Sequence, residues 1–301
     1  MTEQISNDSK SDDSGHIAVH EHGAGIAMED RHAHERETYD AMAVAMLAEM
    51  TDGELTVRAD GIPFANREHV DFLSFAIGEV GPLAHRRVLE VGAGSGSLAV
   101  WLALQGADVT GIDVSEGILQ VAAKRAAVSG ASHRTRFVTC PIEEFDEPPA
   151  SYDVIIGNNV VHHFDRDPAL ANIARLITPD GRAVFCEPVL FAPEVLRRLR
   201  YSAAASRRFP PHTHTPDERS LNRGDLAVAA RHFGTLHWYP FQLLCRLQNF
   251  VELSDPAWNR LESVDRFALR NIRVARWLAR MIVLVCDEPR TIDPNAKERF
   301  Q

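Results

Sequence analysis

With 301 residues and 45% apolar residues, the chain can bury one large core, or a core with a modest accessory domain. No apolar run approaches the ~20 residues of a membrane span, no signal-peptide pattern opens the chain, and four scattered cysteines (Cys140, Cys186, Cys245, Cys286) form no disulfide framework, so a cytoplasmic location is expected. The net charge of −10 resides entirely in residues 1–60, with fourteen Asp/Glu against four Lys/Arg; the remainder is neutral and carries no dense basic stripe, which speaks against a nucleic-acid partner.

In chain order, residues 1–22 are rich in Ser, Asp and Asn and are expected to be a disordered acidic tail. His16, His20, His22, His32 and His34 lie in or beside this segment without a closed ligand set, so no metal is expected. Helical periodicity runs from Met28 to about Met50, and a second helix is predicted over Asn66–Glu79; together residues 23–82 read as a helical cap, through which the chain could also pair with another copy. From Arg87 the pattern alternates between strand and helix. Strands are predicted at 87–91, 108–112, 135–139, 153–158, 182–187, 234–242 and 279–286, with helices at 96–105, 115–129 and 168–176. Asp167-Pro168 reads as a capped helix start, and Thr178-Pro-Asp-Gly181 as a tight turn. A long polar segment over 190–232 reads as a lid, and Pro256–Arg276 as one further helical stretch. The division is then tail 1–22, cap 23–82, cofactor-binding core 83–189, lid 190–232, and 233–301 completing the sheet.

The most informative segment is Val88-Leu-Glu-Val-Gly-Ala-Gly-Ser-Gly-Ser-Leu98. An apolar strand ends in alternating glycines and a helix begins, leaving bare backbone at the turn. The next strand, Asp108-Val-Thr-Gly-Ile-Asp113, ends in a carboxylate placed to accept both hydroxyls of a ribose. A dinucleotide fingerprint would place its third glycine at the sixth position; here Gly96 is the fifth and Ser97 the sixth.

With Glu90 two residues before Gly92, the turn resembles motif I of the class I S-adenosylmethionine-dependent methyltransferases. Tyr152-Asp-Val-Ile-Ile-Gly-Asn-Asn-Val-Val-His-His-Phe164 is similar to that family's fourth-strand motif, and Leu176-Ile-Thr-Pro-Asp-Gly-Arg-Ala-Val-Phe-Cys-Glu187 to its fifth strand with the preceding turn. The resemblance covers about residues 86–190, and more loosely to 287. It implies an α/β fold: a Rossmann-like, doubly wound, mostly parallel seven-stranded sheet with an antiparallel last strand, N-terminal helices and a lid insertion. It also implies S-adenosyl-L-methionine as cofactor, held by Tyr39, Glu90, Gly92, Ala93, Gly94, Gly96, Asp113, Val114, Pro141, Ile142, Glu143 and Asn158. One departure stands out. Pro141 occupies the place where the family often has an Asp for the adenine amino group, leaving that contact to backbone around Ile142 or to Glu143.

Methyl transfer requires an in-line approach and exclusion of water, plus a general base when the acceptor is a hydroxyl or carbon acid. His162 is the leading base candidate and His163 the second; the alternative is that both only pack the turn. Glu187, ending the fifth strand, either faces the pocket mouth or only bonds loop backbone. Tyr39 either covers the cofactor or packs in the core. Asn158 and Asn159 fit poorly with a magnesium site. Arg197, Arg198, Arg200, Arg207, Arg208, Arg219 and Arg223 are a solvated surface or bind an acidic substrate group; His212 and His214 read as loop polar groups. The expected function is methyl transfer to oxygen or carbon of a small metabolite, as in secondary metabolism. The alternatives are a methyltransferase-fold enzyme using the cofactor for cyclisation, a nicotinamide-dependent oxidoreductase, or a non-catalytic binding module.

Overall fold

Short apolar runs bounded by Gly, Pro and Asp become buried strands, and the amphipathic stretches between them return the chain across the sheet. The computed structural model describes residues 28–61, 67–191, 220–245, 247 and 253–290. Helices α1 (Met28–Glu49), α2 (Asp52–Leu55) and α3 (Arg67–Val80) precede β1 (Arg87–Val91). There follow α4 (Ser97–Leu104), β2 (Asp108–Asp113), α5 (Glu116–Val128), β3 (Thr135–Thr139) and β4 (Tyr152–Asn158). After a 3-10 turn at Val161–His163 come α6 (Arg166–Leu176) and β5 (Ile177–Pro188). The remainder is α7 (Arg223–His232), β6 (Phe233–Phe241), α8 (Asp255–Asn271), α9 (Arg273–Arg276) and β7 (Met281–Pro289).

The strands form one sheet in the order β3-β2-β1-β4-β5-β7-β6. Pairs among β1 to β5 are parallel, and β7 runs antiparallel to both β5 and β6. The expected doubly wound sheet with an antiparallel last strand is thus present. Alternate residues of each strand serve opposite faces. Leu89, Ile155, Phe185 and Leu284 join α6 residues Leu170 and Ile173 in one core. Val88, Val154, Val184 and Val285 join Phe72 and Leu73 of α3 and Leu98 and Leu102 of α4 in the other.

Several boundaries differ from expectation for identifiable reasons. Helix α6 begins at Arg166 with Asp165 in the cap position, while Asp167 binds His232 Nε2 at 2.8 Å and Arg231 at 3.2 Å. The Thr178–Gly181 turn lies within β5. There the ladder jumps from Tyr152↔Ile177 to Val154↔Arg182, so the turn residues are looped out of pairing. The stretch 256–276 is two helices, broken at Ile272, whose φ of −111° and ψ of 107° are extended. All four cysteines are free thiols. The segment read as a lid lies outside the described residues over 192–219, as do its arginines before Arg223, and His212 and His214; so do the tail and its histidines. No described helix is long and apolar enough to cross a membrane.

Helix α1 packs Tyr39, Ala43 and Met46 against Leu55, Ile118 and Val121, and polar contacts add to this. Its buried residues are Glu35 and Ala43. Asp40 Oδ1 accepts the Gly117 N–H at 3.0 Å and the Ser115 hydroxyl, and Arg36 Nε donates to the Val114 carbonyl at 3.2 Å. These bonds fix α1 over the first turn of α5, directly beside the end of β2.

Candidate active site

Strand order reverses between β1 and β4, and ligands of open α/β sheets bind at such a point beyond the carboxyl ends of the strands. Gly92, Gly94 and Gly96 there have φ of 68°, 50° and 77°, a region L-residues with a Cβ rarely adopt. Two of them differ in role. A Cβ on Gly92 would fall 2.5 Å from a Val160 methyl, so this glycine permits β1 and the post-β4 loop to meet. A Cβ on Gly94 would meet nothing within 4 Å, because Gly94 borders the cavity; its bare backbone is the surface a ligand can approach. Asp113 braces this turn. Its Oδ2 accepts the Gly94 N–H at 2.9 Å and its Oδ1 the Ser115 N–H at 3.0 Å. Burial pushes its carboxyl pKa up, against the pull of those donors.

The cavity has a volume of about 460 Å³, ample for a small-molecule site. On its wall stand two adjoining imidazoles, His162 and His163, with ring centroids 4.1 Å apart and planes tilted by 38°. Each is tied through Nδ1 to a buried carboxylate. His162 Nδ1 lies 2.8 Å from Glu187 Oε2, and His163 Nδ1 lies 2.6 Å from Glu35 Oε1. The other Glu187 oxygen accepts the Val160 and Val161 N–H groups, both at 2.8 Å. A carboxylate on Nδ1 fixes the tautomer with Nδ1 protonated, so Nε2 is the basic nitrogen of His162.

Residues 88–181 match the family described as a methyltransferase domain. Over those residues the chain is similar to a methyltransferase domain. Among relatives, the ubiquinone biosynthesis O-methyltransferase of Bordetella parapertussis is 32% identical over 156 residues, covering 51% of this chain and 64% of that protein. The chain therefore spans just under two thirds of the length of the first curated relatives it matches. Among solved structures, the [4+2]-cyclase SpnF superposes with a TM-score of 0.55 at 17% identity, covering 89% of this chain and 98% of that one. The geranyl diphosphate C-methyltransferase of Streptomyces coelicolor, solved with Mg2+, geranyl diphosphate and S-adenosyl-L-homocysteine, gives 0.52 at 14% identity, covering 84% and 85%. At these identities the two structures speak for the fold.

Between the sheet and its helical cap, the cavity brings together Tyr39, Gly92, Gly94, Asp113, Val114, Pro141, Ile142, Glu143, Asn158, His162 and His163. Four anticipated residues stand outside its lining. Ala93 is buried, its N–H donating to Ile112 O at 2.9 Å. Gly96 opens α4, where a Cβ would come 2.6 Å from that of Ala122, so it serves helix packing. Glu187 is fully buried beneath the 161–163 turn, the loop-bonding arrangement rather than the pocket mouth. Glu90 faces α4 and binds the Ala99 N–H, while its Oε2 is buried without a partner. Glu143 reaches the cavity but also accepts the Asp165 N–H at 2.8 Å, and burial raises its pKa. Asn159 adopts φ 55°, turning the chain from β4 into the histidine turn.

Residues that sequence reasoning missed include Glu35, Phe72, Gln242, Arg280 and Met281. Glu35 left a signal: His32, Glu35 and Tyr39 are spaced three and four apart, on one face of α1. Gln242 and Arg280 left none, because only the antiparallel placement of β7 brings them to the same end of the sheet.

Glu90 yields a pH prediction. Burial raises its pKa well above the ordinary 4.5, so the folded protein holds this proton after the unfolded chain has released it. Stability contributed by the protonated form is complete below the unfolded value and is lost as pH rises through the folded one. Glu90→Gln removes that slope. It should be more stable than the parent at about pH 8, with the gap closing toward about pH 5 in urea titrations. A gap independent of pH would contradict this assignment.

Proposed function

We propose that this chain is an S-adenosylmethionine-dependent methyltransferase acting on an oxygen or carbon of a small metabolite, with His162 as general base. The observation carrying this reading is His162, held from beneath by Glu187, on the wall of the cavity bordered by Gly94 and Asp113. The donor set suits the cofactor. Asp113 keeps acceptor capacity for two ribose hydroxyls, the Gly94 backbone leaves room for the aminoacyl part, and Ile142 with Glu143 lies where adenine would rest. Tyr39, on α1, offers an aromatic face favourable to a sulfonium. When bound, the cofactor supplies a methyl group on an excellent leaving group.

The protein's own tasks follow. Glu187 holds Nδ1–H of His162, so Nε2 can remove a proton from a hydroxyl or acidic carbon and carry it as imidazolium beside a buried carboxylate. The Val160 and Val161 N–H bonds fix that carboxylate in position. Helix α1 brings Tyr39 and Glu35 to the cavity and covers part of it, as a reaction that must keep water from the methyl group requires. The name of the Bordetella relative favours oxygen as the acceptor atom.

Incubation with methyl-labelled cofactor and a deproteinised cell extract tests this directly. Labelled small-molecule product is expected, and His162→Gln should lower its rate by about 100-fold while leaving S-adenosylhomocysteine affinity unchanged. Cofactor binding without label transfer favours the cyclisation alternative. Binding of a nicotinamide dinucleotide instead rejects both readings.

A further inference from the structure

The sheet order gives the cavity a direction. Cavity residues come from the ends of β2 and β3, then β1 and β4, and lastly β5, β7 and β6. Neighbouring strands lie roughly 4.8 Å apart, so β2 and β7, four places apart in the sheet, are separated by roughly 19 Å. The nucleoside end is fixed by Asp113 on β2, and the histidine turn leaves β4. Beyond β4 the cavity continues past Pro188 of β5 to Met281 of β7, about two strand spacings or roughly 10 Å further. That remainder is the room for the acceptor.

Charge along this direction is segregated. Carboxylates lining the cavity are Asp113 at the end of β2, Glu143 after β3, and Glu35 bonded to His163. None lines it at the β5–β7–β6 end among the described residues. There stands Arg280, the one Arg or Lys among the described lining residues. Its backbone is clamped where three strands meet. The Arg280 N–H donates to Phe241 O at 3.2 Å and Gln242 O at 3.0 Å, and its carbonyl accepts the Val189 N–H at 2.8 Å. Gln242 beside it has φ 60°, an uncommon conformation for this residue held by the same clamp. The clamp sets where the Arg280 side chain starts, beside Gln242 at the end of a stretch lined by Phe72, Pro188 and Met281; a guanidinium is suited to a carboxylate or phosphate, which it can hold through two parallel N–H bonds.

We infer that Arg280 selects an anionic acceptor: a small molecule whose carboxylate or phosphate binds Arg280 while its nucleophilic atom lies roughly 10 Å away, near the histidine turn. The inference rests on the methyltransferase reading and adds the substrate class. Cofactor contacts at β2 and β3 are independent of it.

The test divides a deproteinised small-molecule extract of the source organism into anion-exchange-retained and flow-through pools, each incubated with the full chain and methyl-labelled S-adenosylmethionine. Label is expected from the retained pool alone. Arg280→Met should raise the apparent KM for that pool at least about tenfold, with S-adenosylhomocysteine affinity and maximal rate little changed, and Arg280→Lys should fall between. The lysine variant guards against a folding defect, because it keeps charge and most of the side-chain volume. Label from the flow-through pool, or an unchanged KM in Arg280→Met, overturns the anionic acceptor while leaving methyl transfer standing. Cofactor binding with label from neither pool rejects methyl transfer and this inference together.

Discussion

Replacing Glu187 by alanine is expected to destabilise the protein by about 4 kcal/mol, because it strands three buried donors at once. Two backbone N–H groups, of Val160 and Val161, and the His162 Nδ1–H all end on this one carboxylate. Bulk solvent does not reach these donors, since Glu187 is fully buried. For a chain of this size the melting temperature should fall by roughly 6 °C, and labelled product should disappear. Glu187→Gln separates fold from function. Its amide oxygen still accepts the two backbone N–H groups, but its NH2 now faces His162 Nδ1 and favours the tautomer with Nε2 protonated. Stability should drop by less than about 2 kcal/mol while the rate of labelled product formation falls by about 100-fold or more. Nitrogen-15 shifts of the His162 ring would report the tautomer directly. An unchanged rate in Glu187→Gln would refute the role given to His162.

Asp113→Ala should weaken S-adenosylhomocysteine binding by about 3 kcal/mol, roughly 100-fold in Kd, measured by calorimetric titration. Two effects combine. The carboxylate that would accept the ribose hydroxyls is lost, and the Gly94 and Ser115 N–H groups lose the acceptor that holds the glycine turn against β2. Asp113→Asn should recover little, because its NH2 must face one of those two donors. A variant that folds and binds as tightly as the parent would show that the ribose lies elsewhere.

Much of the cofactor end was legible in the sequence because local rules dictate it. Three glycines in six residues can only serve a turn with positive φ, and Asp113 ends an apolar strand whose parallel neighbour is β1. The roles within that turn were not separable by pattern. Gly92 and Gly96 admit neighbouring packing and Gly94 faces the cavity, a distinction set by Val160 and Ala122, which are remote in sequence. Glu90 shares the motif yet faces the opposite side of β1 from Leu89 and Val91, toward α4. Strand alternation implied that orientation, but the motif resemblance pointed to the cofactor.

The sequence by itself determined the alternating α/β architecture, the switch-point turn, the carboxylate that ends β2 and the presence of two histidines after β4. These follow from periodicity of two and 3.6 and from the conformational freedom of glycine, which act over a few residues. Only the tertiary structure decided what those histidines bind. Glu187 reaches His162 across 25 residues, and Glu35 reaches His163 across 128 from a helix preceding the sheet. Arg280 and Gln242 join the cavity because β7 inserts antiparallel between β5 and β6. Such contacts depend on which strands become neighbours, a choice made by burial of the whole sheet against both helical layers.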